Sequence, residues 1–353
     1  MSATSIGATA ARWRREARRT SGWAGLIYVV PALIILVVFE VWPILFAVWI
    51  SLWKWDVAPL AYVGLANYRR LFGEGFVTVD YDDKPAIGEV LKSLIVTVYY
   101  VIGVVPVTIL IAFALAYLLF QPIRGRELLR TIYFLPYVTS SVAITIVFGW
   151  IFNAQIGVVN AAFRLLGLPS QTWLEDPVPA AKRFLAWIGV GGLDSWSNNL
   201  AGPSVALVVI IVYGIWSTLG YNIVIYLAGL TEIQPELYEA GRIDGASRWQ
   251  LMRHITWPLL TPSTFFLSVV NAIAAFQAFT PIYTLTRTTG MGRGEAGGPL
   301  DTTLTITVYI FRNFYERANS VGYAAAVSIL LFFIILGLTL LQFRVLSRRV
   351  HYQ

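Results

Sequence analysis

The sequence predicts an all-α membrane protein with six transmembrane helices and both termini cytoplasmic. Three observations lead there. Of the 353 residues, 57% are hydrophobic and 13% charged, where a soluble domain carries roughly 25% charged residues. That much apolar surface needs lipid as well as a core to cover it. Six apolar segments reach the length of about 20 residues that a helix needs to cross the hydrocarbon. Finally, lysine and arginine are concentrated in the segments that six crossings place on one side.

Taken in order, residues 1–22 form a basic tail with Arg12, Arg14, Arg15, Arg18 and Arg19. The expected spans are 23–50, 94–120, 131–151, 204–230, 257–285 and 321–343, and residues 344–353 form a second short tail. Glu40 is the one formal charge in these spans; a satisfied ion pair near the outer interface is its expected state. The first span runs far past the apolar stretch of a signal peptide and ends in no small-residue cleavage site, so it reads as a retained helix. Residues 184–193 are apolar but too short to cross. They belong to an external insert of about 152–203.

Orientation follows from the basic residues. Segments 1–22, 121–130, 231–256 and 344–353 hold 14 Lys and Arg in 68 residues, whereas segments 51–93, 152–203 and 286–320 hold 12 in 130. The denser set is cytoplasmic. The net charge of +7 is therefore spread along membrane edges, which argues against a nucleic-acid surface. The chain has no cysteine and two histidines, His254 and His351, so a thiolate or histidine-rich metal site is not expected.

The cytoplasmic segment 231–256 carries the most information. Pro235 with Glu236 and Glu239 suits a helix start, with proline in the first turn and acids at the positive dipole end. Gly245 can take the left-handed geometry of a tight turn, and a second short helix of roughly 247–254 follows. Pro258 and Pro262 mark entry into the fifth span. Ala240, Gly241 and Ala246 are small, so a partner surface can come close to the backbone.

The same residues carry a resemblance. Glu239-Ala240-Gly241, then Gly245, then Ile255 and Pro258 follow the spacing of the EAA motif of ABC importer permeases, E-A-A-x3-G-x9-I-x-L-P. Gly241 stands where that motif has its second alanine, and Trp257 where it has leucine. The adjoining RIDGASRW, the early VVPAL with Trp42-Pro43, Phe134-Leu135-Pro136, VGLANYRRLF, Gly297-Gly298-Pro299 and GYAAA are similar to the sugar-type, maltose-permease-like members. Nearly the whole chain is covered, apart from about 175–202.

The resemblance implies the type I importer permease fold in a bacterial or archaeal plasma membrane. It also implies a second permease subunit, an ATPase dimer and an external solute-binding protein. In the family the hairpin docks on the ATPase and transmits its movement. The matching positions here are Glu239, Ala240, Gly245, Ile255 and Pro258, and the coupling element they imply also includes Gly241 and Asp244. ATP and magnesium would be bound by the ATPase, and this chain would bind no cofactor, no metal and have no catalytic residue.

Polar side chains inside spans are the candidates for a solute path: Ser140 and Ser141 in the third span, Trp216, Tyr221 and Asn222 in the fourth, Asn271 and Gln277 in the fifth. Aromatic faces, hydroxyls and amides without net charge suit a sugar; helix packing is the alternative use of the same groups. Asn271 and Gln277 are six apart, so on a straight helix they face different neighbours.

Other motifs carry less. Gly292-x-Gly294-x-x-Gly297 has no preceding strand and reads as a flexible turn. No phosphate-binding Gly-x4-Gly-Lys-Ser/Thr loop occurs, so ATP hydrolysis is not expected of this chain. A glycerol-phosphate or polyamine substrate is the nearest alternative, although no lysine or arginine lies in the spans. An ion-coupled secondary transporter would need a mid-membrane carboxylate or broken-helix pair, and Glu40 alone is on offer.

Overall fold

The computed structural model describes residues 28–79, 85–187, 202–289 and 296–346. The basic N-terminal cluster, the first residues of the first span, Gly292, Gly294 and most of both tails lie outside these residues, as do 188–201 of the 152–203 insert.

Four helices are long and apolar enough to cross a membrane: α1 (Tyr28–Ile50), α3 (Glu89–Phe120), α8 (Val205–Glu232) and α14 (Val321–Leu346). Two more candidates are bent. Helix α4 (Arg126–Val138) meets α5 (Ser141–Ile151) at 101°, and α10 (Arg248–Leu259) meets α11 (Thr261–Phe276) at 61°. The described chain therefore has four to six spans, depending on whether each bent pair crosses as one.

Two expected spans thus differ from straight helices. The third breaks at Thr139, where ψ is 153°; the Thr139 hydroxyl turns back to donate to the Leu135 carbonyl, 2.8 Å away. This side-chain bond offers the backbone an alternative to continuing the helix. The fifth span bends at Leu260, just before Pro262, and stops at Phe276 rather than reaching 285. A new helix, α12 (Thr280–Thr289), begins there; Pro281 sits in its first turn, where a missing N–H costs nothing.

The core sits where α3 crosses α8. Leu119, Leu207, Ile210, Ile223, Tyr226 and Leu230 are fully buried there. Helix α4 crosses α8 at Gly220, where an added Cβ would lie 2.3 Å from the Tyr133 carbonyl oxygen. Glycine is what lets those backbones touch.

Helix α1 is different. None of its most apolar stretch is buried within the chain, so lipid or another subunit must cover it. It contains a π-helical turn, Val37–Val41. Glu40 lies in that turn, exposed, and no ion pair with another described residue satisfies it, unlike the pair expected. At the far end of α1, Asn67 on α2 (Ala66–Phe72) donates to the carbonyls of Ser51 and Trp53, at 2.8 and 3.1 Å.

Segments between spans carry small ordered elements. Strands β1 (Trp53–Trp55) and β2 (Pro59–Tyr62) pair antiparallel, as do β3 (Val77–Val79) and β4 (Pro85–Ile87). In the insert, α6 (Val158–Leu165) and α7 (Ala180–Trp187) are held by buried polar groups. The Asn160 amide bonds Ala154, Gln171 and the Trp173 indole, and the buried Asp176 carboxylate pairs with Arg183. Beyond α13 (Ile306–Phe311), Arg317 grips Glu89 at the start of α3 through two nitrogens at 2.7 and 3.0 Å.

Candidate functional site

Residues 233–260 fold as a helical hairpin. Helix α9 (Pro235–Ile243) begins with Pro235 in its first turn and Glu236 close by, as its amino acids dictate. It ends in a Schellman motif: Ala246 N–H donates to the Gly241 carbonyl at 2.9 Å and Gly245 N–H to the Arg242 carbonyl at 3.1 Å. Gly245 takes φ +79°, the left-handed geometry this cap requires. Ser247 then caps α10, with its hydroxyl accepting from Gln250 N–H while the Gln250 side chain accepts from Ser247 N–H, a reciprocal capping box.

The tip is solvent-facing. Glu239, Ala240, Asp244 and Gly245 are exposed and Gly241 is half-buried. Gly241 packs on the returning helix, where an added Cβ would come 2.6 Å from Leu251 Cδ2; small size here sets how closely the two arms lie. Ile255 is half-buried in a π-helical turn, Met252–Thr256. Pro258 lies two residues before the 61° bend.

Three polar contacts tie the arm entering the hairpin to the arm leaving it. The Tyr238 hydroxyl lies 3.0 Å from Thr256 Oγ1. Burial raises the Tyr238 phenol pKa, against the lowering effect of that bond, so it stays protonated. Further along, Tyr226 donates to Thr264 at 3.1 Å. Beyond it, Asn271 Nδ2 donates to Asn222 Oδ1 at 2.6 Å.

The third contact reaches an intramembrane cavity of about 270 Å³ between α3, α4, α5, α8 and α11. Its polar wall comprises Tyr100, Tyr137, Thr139, Ser141, Tyr213, Ser217, Thr218 and Asn271, and no charged side chain lines it. Aromatic rings and hydroxyls around a neutral hollow can stack on and hydrogen-bond a polyhydroxylated solute.

The expected path residues divide. Ser141 and Asn271 line the cavity. Tyr221 stands behind it, stacked on Tyr137 at 5.2 Å. Asn222 is fully buried and reaches the cavity only through Asn271. Trp216 lies off the wall and stacks on Phe148, and Ser140 is exposed at the α4–α5 break. Gln277 faces a separate groove of about 340 Å³ with Ser328, Phe332 and Thr339 of α14, so the six-residue spacing does separate it from Asn271.

Sequence reasoning missed Tyr100, Tyr137, Tyr213 and Thr218. Tyr213 and Ser217 are four apart, as are Gly214 and Thr218, a polar stripe on an otherwise apolar helix. That stripe was the available signal for two of them; Tyr100 sits in an apolar run that gives none.

The profile described as "Binding-protein-dependent transport system inner membrane component" matches residues 87–352. The lactose transport system permease protein LacF of Rhizobium radiobacter is 31% identical over 326 residues, covering 92% of this chain and 93% of that protein. The sn-glycerol-3-phosphate transport system permease protein UgpA of Pectobacterium atrosepticum is 29% identical over 335 residues, covering 94% and 97%. A chain of a bacterial ABC transporter involved in the import of the acidic polysaccharide alginate has the same fold, with a TM-score of 0.66 at 21% identity over 96% of this chain and 99% of that one. A chain of the alginate transporter in complex with its pentasaccharide-bound periplasmic protein gives 0.68 at 20%, over 95% and 96%.

Proposed function

This chain belongs to the family of binding-protein-dependent transport system inner membrane components and is a permease subunit of an ABC importer; from that premise we propose that it carries a neutral sugar or related polyol by alternating access, driven by separate ATPase subunits. The observation that carries the substrate class is the uncharged, hydroxyl-rich and aromatic cavity. An anionic solute calls for a cation to offset its desolvation, and the cavity offers none.

A glycerol-phosphate substrate is the second reading, favoured by the similarity to UgpA proteins. Proteoliposomes holding this chain with its partner permease, ATPases and binding protein test the two. Import of labelled lactose in preference to sn-glycerol 3-phosphate supports the neutral reading; preference for the phosphate overturns it.

In the full reading, both bent pairs cross as single spans, giving six crossings with both termini cytoplasmic in a bacterial or archaeal plasma membrane. Residues 1–22 and 344–353 are cytoplasmic tails and 152–203 an external insert. The hairpin is the coupling element: Glu239, Ala240, Asp244 and Gly245 meet the ATPase, Gly241 and Ile255 join the arms, and Pro258 sets the exit angle. ATP and magnesium bind on an ATPase dimer. A second permease subunit completes the pathway, and an external binding protein delivers solute. What supports the coupling role is the polar ladder, which gives hairpin and cavity wall one mechanical path. A ligand can shift such an equilibrium only by its differential affinity for the two states, so the hairpin must contact the ATPase differently in each.

A further inference from the structure

The hydroxyls around the cavity are mostly committed. Thr139 donates to the Leu135 carbonyl at 2.8 Å and Thr218 to the Gly214 carbonyl at 2.8 Å. Ser217 donates to the same Gly214 carbonyl at 3.2 Å. Tyr213 accepts from Thr145 at 3.0 Å and lies 3.4 Å from Ser141, while Asn271 is clasped by Asn222. A hydroxyl that donates to its own helix turns a lone pair outward, so these groups offer the cavity chiefly acceptors.

Tyr100 is the exception among the buried residues of the wall. It is 96% buried by its 4% exposure, and its hydroxyl makes no hydrogen bond to any described residue. That oxygen is not among the sealed, partnerless polar atoms; it opens on the cavity. Gly214 makes this placement feasible, since a Cβ there would lie 2.7 Å from the Tyr100 hydroxyl and 3.0 Å from Val104 Cγ2. A buried hydroxyl left without a partner is costly. A ligand oxygen entering the cavity removes that cost.

We propose that Tyr100 is a specificity-determining residue, a buried donor that reads an acceptor oxygen of a hydroxyl-bearing solute, with Gly214 supplying its space. A wall rich in acceptors, whose buried donors are the Tyr100 hydroxyl and the second amide hydrogen of Asn271, matches alcohol groups, each of which gives and takes a hydrogen bond. It mismatches a phosphate or carboxylate, which only accepts. The inference rests on the neutral-solute reading above.

The test uses the complete transporter in proteoliposomes with labelled lactose and sn-glycerol 3-phosphate as probes, and solubilised complex for thermal melting. Wild-type preference tests the neutral-solute reading on its own. For Tyr100, the Tyr100→Phe variant is expected to melt at or above the wild-type temperature, since nothing in the protein pairs with the lost hydroxyl. Its lactose import per ATP hydrolysed falls about fivefold, the scale of one neutral hydrogen bond. Gly214→Ala is expected to lower both melting temperature and import, and combining it with Tyr100→Phe recovers part of the melting temperature, since the 3.0 Å approach to Val104 Cγ2 remains. A lower melting temperature for Tyr100→Phe assigns the hydroxyl to the fold and overturns the proposal, as does unchanged import per ATP.

Discussion

Asn271 Nδ2 lies 2.6 Å from Asn222 Oδ1, and Asn222 Nδ2 lies 3.4 Å from Asn271 Oδ1 and 2.9 Å from the Thr218 carbonyl. One amide is fully buried; the other borders the cavity. Each satisfies the other, and together they close the ladder that starts at Tyr238. Replacing Asn222 by leucine strands the Asn271 amide and is expected to cost about 1–3 kcal/mol. Thermal melting of solubilised protein measures it. Replacing both asparagines by leucine is expected to cost less than the single change, and a larger loss for the pair would show that the two amides act independently.

The hairpin tip tests backbone geometry in isolation. A Cβ at Gly245 meets nothing within 4 Å, so any cost of substitution is conformational. Left-handed geometry costs a side chain about 1–2 kcal/mol, more when the residue is β-branched. Gly245→Val is expected to abolish uptake while the protein still reaches the membrane. Gly245→Asn, which tolerates this region, retains uptake. Uptake and membrane-fraction assays on both variants check the pair, and normal uptake by the valine variant would refute the coupling assignment.

Ser247→Ala removes one half of the capping box and is expected to destabilise α10 by about 1 kcal/mol. The effect should be read as lower ATP-driven uptake with wild-type solute preference, because the cavity is remote from the cap. A changed solute preference would contradict that separation.

Asn271 and Gln277 are predicted to part company. Asn271→Ala alters relative uptake of different sugars, since its amide borders the cavity; Gln277→Ala leaves that ranking intact, since its groove faces α14. Competition assays with a panel of unlabelled sugars decide between this and a shared role.

How legible all this was in the sequence depends on the range of the forces involved. The hairpin could be read from Pro235, Gly245 and Pro258 because caps and turns are set within a few residues by local backbone chemistry. The four long apolar helices could be read because bilayer thickness sets the length a spanning segment needs. The breaks at Thr139 and Leu260 could not, because hydropathy averages over a bend. Neither could the early end of the fifth span at Phe276. Tyr100 was invisible for a different reason: in an apolar run, a phenol packed on a neighbour and one facing a cavity look alike until Gly214 is seen beside it. Asn222 was picked out as a polar residue in a span, but its place behind the wall rather than on it depends on how α8 and α11 pack.

In the proposed coupling, the exposed tip of the hairpin engages a separate cytoplasmic ATPase and moves the cavity wall. The chain contains no cysteine, so Ala240→Cys gives a single reactive thiol at that tip without further engineering. Cross-linking it to a cysteine-bearing ATPase in the assembled transporter, followed by uptake before and after reduction, is the most direct measurement. The expected result is a covalent adduct that halts ATP-driven uptake and a return of uptake once the bond is reduced. Labelling of the same thiol by a membrane-impermeant maleimide added outside intact cells, with no adduct to the ATPase, would contradict it.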